Sequence, residues 1–140
     1  MEKIVVLPKK EVIEFMKINN PTVTLPRNSF ETQILVVGIK NEKIIGIAII
    51  EKGKIFSGEP TLLTIYVKPE HRGKGYGKKL LKEAISYAKA KKKFPYLRID
   101  ILSSKVKKMI ESLSEKDKKF LKIFDPGAST GFYPLDYFPE

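Results

Sequence analysis

Apolar and polar positions along the chain switch between a period of two and a period near 3.6. Lys3 to Leu7 is a short apolar run closed by Pro8 and predicts a first strand. From Lys9 to Ile18 the apolar positions become Val12, Ile13, Phe15, Met16 and Ile18, the stripe of a helix, and Asn19, Asn20 and Pro21 stop it. Pro21 to Thr32 carries two prolines and no clear period, which predicts a loop or a short helix. Gln33 to Lys40 and Lys43 to Glu51 are almost wholly apolar. They predict two strands joined at Asn41-Glu42, with Asn41 tolerating the positive φ of a tight hairpin, and their lack of alternation predicts a central, doubly covered position.

Lys52 to Pro60, with Gly53, Gly58 and Pro60, reads as a connection into the strand Leu62 to Val67, which Pro69 ends. Leu80, Leu81, Ala84, Ile85 and Ala88 then mark one face of a helix from Gly75 to about Lys92, closed by Phe94-Pro95 before another strand, Tyr96 to Leu102. Val106, Met109, Ile110 and Leu113 predict one further helix, and Phe120, Leu121, Ile123 and Phe124 a second, with Asp125-Pro126-Gly127 as its stop. This order of elements predicts an α/β fold with a mixed sheet.

The turn between Val67 and Leu80 carries chemistry. Gly73, Gly75 and Gly77 alternate with Lys74 and Tyr76, between Arg72 and the pair Lys78-Lys79. Glycines let backbone N–H groups approach an anion closely, and the first turn of a helix adds unpaired N–H groups at a positive dipole end. The spacing is not that of the mononucleotide loop GxxxxGK[ST], because Arg72 stands at its first glycine and Lys79 at its Ser or Thr. Nor is it GxGxxG, whose last glycine falls on Lys78 or Leu80.

Val67, Pro69, Arg72, Gly73, Gly75 and Gly77, followed by Leu80-Leu81, resemble the acetyl-CoA loop V-x-P-x-x-[QR]-[RG]-x-G-x-[GA] of the Gcn5-related N-acetyltransferase (GNAT) family. The resemblance implies the GNAT acyl-CoA N-acyltransferase fold: a mixed, mostly antiparallel central sheet flanked by helices, with the motif strand splayed from its neighbour around the pantetheine arm. It implies acetyl-CoA as co-substrate and no metal. The backbone of Ile65, Tyr66 and Val67 would pair with pantetheine, and a backbone N–H near Val67 would polarise the thioester. Arg72, Gly73, Lys74, Gly75, Tyr76, Gly77 and Lys78 would hold the pyrophosphate. Aligned with ribosomal-protein N-terminal acetyltransferases (L-x-L-E-x-x-x-S-N), Asp100 falls on their catalytic Glu and Lys105 on their pantetheine-binding Asn.

Asp100 is the only acid in the strand Tyr96 to Leu102; Glu59, just before the motif strand, is the alternative base. Many members use a late-helix tyrosine to protonate the leaving thiolate; here Ile110 or Ser112 falls there, leaving water or a tail tyrosine, Tyr133 or Tyr137. His71, before the loop, is expected to face solvent. Gly131 to Phe138 resembles the family's closing Gly-Phe and final strand, which Pro134 and Pro139 would confine to an edge or loop.

Composition narrows the chemistry. The 140 residues predict one domain, 1–140, large enough to bury a core. With no cysteine and one histidine, thiol nucleophiles, disulfides and thiolate or multi-histidine metal sites are excluded, so acetyl transfer would proceed by direct attack of the amine in a ternary complex. No apolar run reaches membrane-spanning length or the core of a signal peptide, and a cytoplasmic location is expected. The net charge of +11 raises nucleic acid as a partner, yet the clusters Lys91 to Lys93 and Lys105, Lys107, Lys108 fall on the polar faces and ends of helical patterns, which disfavours that reading. The expected function is therefore acetylation of a primary amine: a protein N-terminus, a lysine or a small amine. A catalytically silent CoA-binding module is the alternative, and self-association as a homodimer stays open.

Overall fold

The computed structural model describes residues 2–19, 33–52, 59–101 and 103–125. The chain runs β1 (Lys3–Val6), α1 (Lys9–Asn19), β2 (Gln33–Asn41), β3 (Lys43–Lys52), β4 (Thr61–Val67), a 3-10 turn (Pro69–His71), α2 (Tyr76–Ala90), β5 (Leu97–Asp100), α3 (Ser104–Glu111), α4 (Glu115–Phe120) and β6 (Leu121–Phe124). The strands form one sheet in chain order; β1 to β4 pair antiparallel, and β4–β5 and β5–β6 pair parallel. The expectations for Pro21 to Thr32, most of Lys52 to Pro60 and Gly131 to Phe138 lie outside the described residues, as do Tyr133 and Tyr137.

Both faces of the sheet are covered, as the apolar runs predict. Ala48, Ile50, Leu62, Ile65 and Val67 pack on one face against Leu80, Leu81, Ala84 and Ile85 of α2 and Val106 and Ile110 of α3. Ile47, Ile49 and Tyr66 pack on the other against Val12 and Phe15 of α1. Gly46 is fixed by this layering: a Cβ there would come 2.8 Å from the Tyr66 carbonyl oxygen and 3.0 Å from Leu80, so α2 crosses where β3 has no side chain.

Three expectations are corrected. Leu121, Ile123 and Phe124 are a strand, paired in register from Leu97↔Leu121 to Asp100↔Phe124. Ser114 caps α4 by accepting from the Asp117 N–H, the helix lasts six residues, and the extended conformation of Leu121 returns the chain to the sheet edge. In the β2–β3 hairpin the ladder continues to Asn41↔Lys43, so the single tip residue Glu42, not Asn41, takes the positive φ of 63°. In α1 only Val12 and Phe15 of the predicted stripe are buried, while Ile18 at the last turn is 81% exposed.

Candidate active site

β4 and β5 pair only at Thr61↔Arg98 and Leu62↔Ile99. β4 continues for five residues beyond that point, Leu63 to Val67, without β5 beside it. A bulge starts the divergence: Ile49 pairs with Thr64 and Ile50 with Leu62, leaving Leu63 as the extra residue that bends and twists β4. The sheet therefore opens into a wedge with its apex at Leu62 and Ile99 and one wall made of β4 backbone. The side chains of Ile65 and Val67 point into the core under α2, and that of Tyr66 packs edge-on against Phe15 at 5.8 Å. These three residues can serve a ligand in the wedge only through their backbone.

The wide end of the wedge leads to the N-terminus of α2. Gly73 and Gly75 have φ of 78° and 84°, and a Cβ at either would meet nothing within 4 Å. Packing does not demand glycine there; the left-handed backbone does, and it leaves open space above the turn. Gly75 is the N-cap of α2 and no side chain caps the helix, so the first-turn N–H groups of Tyr76, Gly77 and Lys78 face outward as a ready anion seat. Arg72 braces the turn: its Nε donates to the Val67 carbonyl at 2.9 Å, and its guanidinium lies 5.4 Å from the Tyr66 ring centroid. The Tyr76 hydroxyl is bound to Glu2, which also lies 3.3 Å from Lys79, and His71 packs edge-on to Tyr76. Gly73 and Lys74 are exposed and Lys78 is half-buried.

At the apex, register puts a row of side chains on the sheet face away from α2: Glu51 of β3, Thr61 of β4, Arg98 of β5 and Lys122 of β6. Asp100 and Phe124 form the next row on the same face. Glu59 is the hub of the outer half. It accepts from the Tyr96 hydroxyl at 2.9 Å and from Arg98 Nη1 at 3.1 Å, and it is bound to Lys122. The Lys122 hydrogen bond above all, then those of Tyr96 and Arg98, holds the Glu59 carboxyl down to about 2. A carboxylate so held is a poor proton acceptor at neutral pH. Asp100 lies 3.3 Å from Arg98 Nη2 and stands one residue past the last β4–β5 pair, at the wedge wall.

Glu51 differs from both. Its side chain is fully buried, and among the described residues neither carboxylate oxygen has a hydrogen-bond partner. Burial pushes its carboxyl above the ordinary range, and among the described residues no charge compensates it. The sequence hides this residue, because a lone acid after seven apolar positions reads as the polar end of a strand. Alternation is the available signal: Ile47, Ile49 and Glu51 share one face, and Ile47 and Ile49 are core.

Of the predicted site residues, the fold gathers Ile65 to Val67 and Arg72 to Lys78 along one wall and end of the wedge, and brings Asp100 and Glu59 together through Arg98. Lys105 is exposed on the first turn of α3, just past the end of β5. A separate concavity of about 720 Å³ lies at the opposite edge of the sheet, lined by Lys3, Leu7, Glu11 and Lys40, and its Lys40–Glu11 pair closes on itself at 3.0 Å. Among the described residues there is no group of acids or histidines able to hold a metal, and no helix long and apolar enough to cross a membrane.

The model of the acetyltransferase (GNAT) family matches residues 10–111, the span from α1 through α3. Among solved structures, the ribosomal-protein-S18-alanine N-acetyltransferase of Escherichia coli is similar at 21% identity and a TM-score of 0.59, over 81% of this chain and 77% of that one. The spermidine/spermine N-acetyltransferase SpeG of Vibrio cholerae, solved in mutant forms, is similar at 17% identity and a TM-score of 0.58, over 79% and 77%. AAC(6')-Iy, in complex with the bisubstrate analog CoA-S-monomethyl-acetylneamine, is similar at 14% and 0.57, over 82% and 92%. At these identities the likeness is one of fold. No curated protein matches by sequence.

Proposed function

The chain belongs to the acetyltransferase (GNAT) family, and from that premise we propose that it transfers the acetyl group of acetyl-CoA to a primary amine. The observation that carries this reading is the pairing of β4 and β5, which ends after Leu62↔Ile99 and leaves a β4 edge running toward an uncapped helix N-terminus. A nucleotide pyrophosphate suits the donors of Gly73 to Lys78, and an extended arm bearing amides suits the free edge of β4, which it would join as an added strand. An arm that starts at the wide end of the wedge carries its thioester inward, toward the apex. A β4 backbone N–H within Leu63 to Val67 would then polarise the thioester carbonyl, a kind of contact that contributes several kcal/mol to acyl transfer.

The acceptor would enter on the face that carries Glu51, Thr61, Arg98 and Asp100. Acids on this face suit a cationic amine, whether a protein N-terminus, a lysine or a small amine. Asp100, at the wedge wall and paired with Arg98, would draw the cationic acceptor toward the wedge, and Glu59 would hold Arg98. With no phenol on α3, the thiolate would take its proton from the departing ammonium or from water. A silent CoA-binding module is the competing reading, favoured by that missing phenol.

Calorimetry with acetyl-CoA, CoA, NAD and ATP tests the first half, with acetyl-CoA expected to bind and NAD and ATP not. Release of free thiol from acetyl-CoA in the presence of an alanine-initial peptide, a lysine peptide or spermidine tests the second. Binding without thiol release for any of the three would leave the silent module as the better account.

A further inference from the structure

We infer that Glu51 is the residue that receives the acceptor's ammonium and takes its proton, an assignment that rests on the acetyltransferase reading above. Glu51 pairs across the sheet with Thr61, and Thr61 pairs with Arg98 in the last-but-one contact before the wedge opens. Adjacent strands lie roughly 4.8 Å apart and residues rise roughly 3.3 Å along a strand, so Glu51 on β3 and Asp100 on β5, two strands and two residues of register apart, flank the apex roughly 12 Å from one another. A thioester carried inward along β4 arrives between them, on a face where the buried Thr61 is the β4 neighbour of Glu51.

Lone buried carboxylates cost free energy and are normally paired, and among the described residues Glu51 has no partner. Among the described residues the charged groups on its face are Arg98, Asp100, Glu59 and Lys122, and they bind one another. From β2 its register partner is Ile34, from β4 Thr61, and α1 packs Val12, Phe15 and Met16 against the same face. An arriving ammonium would supply the missing partner, and a carboxyl whose basicity burial has raised accepts a proton better than Glu59, which its partners hold at about 2.

In the proposed step the acceptor R–NH3+ gives one proton to the Glu51 carboxylate, forming R–NH2 and a carboxylic acid. The nitrogen lone pair forms the N–C bond at the thioester carbonyl, and the C–S bond then breaks with its electron pair leaving on sulfur. The second nitrogen proton ends on that thiolate as CoA thiol, and Glu51 returns its own proton to solvent. The products are the amide, CoA thiol and one released proton.

Glu51→Gln keeps the shape and removes the basicity. Acetyl-CoA affinity by calorimetry should stay near wild type, while kcat/KM with whichever of the three amine probes is turned over should fall roughly 10²-fold and lose the acidic limb of its pH profile. Glu51→Asp, which retains a carboxylate one methylene back, should restore that limb at reduced rate. The wild type supplies a test free of substitutions: in a carbon-13 carboxyl titration Glu51 should titrate above the ordinary carboxylate range and shift when acetyl-CoA is added. A Glu51→Gln enzyme with unchanged kcat/KM and pH profile, or an ordinary Glu51 titration indifferent to acetyl-CoA, would overturn the assignment alone. Wild type that fails to bind acetyl-CoA, or binds it and acetylates none of the probes, would overturn the enzymatic reading and this inference with it.

Discussion

Arg98 holds the carboxylate of Asp100 at 3.3 Å from two residues away on the same strand, and both side chains project from the sheet face opposite α2. Because Arg98 also binds Glu59 at 3.1 Å, the guanidinium spaces two acids along the β5 side of the wedge. Asp100 is therefore anchored through Oδ1, and among the described residues none hydrogen-bonds its Oδ2. Asp100→Asn should lower kcat/KM roughly tenfold, chiefly through KM, and leave the acidic limb of the pH profile in place. Loss of that limb in Asp100→Asn, with Glu51→Gln unaffected, would exchange the roles assigned to the two acids.

Gly75 has φ of 84° and nothing within 4 Å of a would-be Cβ. Gly75→Ala should then cost stability of about 1 kcal/mol, through the left-handed backbone alone, and weaken acetyl-CoA only modestly. Gly75→Glu adds a like charge at the helix N-terminus and should abolish acetyl-CoA binding in calorimetry. Affinity within about threefold of wild type would remove the anion seat from this turn.

The phosphate turn is legible in the sequence because its determinants are local: a strand end, alternating glycines and a helical stripe lie within one short segment. The wedge is not readable from residue pattern and comes only through resemblance, since nothing in Leu62 to Val67 announces that β5 leaves β4 after two pairs. β6 escapes the pattern for a related reason: Leu121 to Phe124 spans four residues, too few to separate strand from helix by period, and its identity comes from pairing with Leu97 to Asp100. Glu59 reads as an ordinary loop acid because its partners Tyr96, Arg98 and Lys122 are far off in sequence.

Gly46 tests the layering beneath the site. A methyl there meets the Tyr66 carbonyl oxygen at 2.8 Å and the Val67 Cα at 3.3 Å, and both are backbone atoms of β4 that cannot rotate away. Gly46→Ala should destabilise the fold by about 1–3 kcal/mol in urea unfolding. It should also reduce acetyl-CoA affinity, because any relief comes from moving the strand that walls the wedge. A neutral substitution would mean that α2 and β4 sit farther from β3 than this packing requires.

Glu59 gives a pH signature. Its carboxyl is held at about 2 in the fold, against an ordinary value of 4.5. A depressed carboxylate contributes stability that is complete above 4.5 and lost as pH falls toward 2. Glu59→Gln should therefore be less stable than wild type near neutrality, with the two urea midpoints converging as the solution is acidified through that window. A gap that persisted at about pH 2 would place the effect in packing around Tyr96 rather than in charge.

Glu51 gives the opposite sign. Burial raises its carboxyl above 4.5, so the folded state favours the neutral acid. Such a group leaves stability undiminished below its ordinary value and lowers it as pH rises through the raised one, because the fold must then either bury a charge or hold a proton that the unfolded chain has released. Glutamine cannot ionise, and Glu51→Gln should melt close to wild type at about pH 4 and progressively above it as pH rises from there. The same substitution is expected to slow catalysis, so stability and turnover should move in opposite directions, as they do where an active site keeps a group that the fold alone would not choose. Melting curves that stay parallel across this range would show that Glu51 is not ionising in a buried site, and the proton-acceptor role would lose its physical basis.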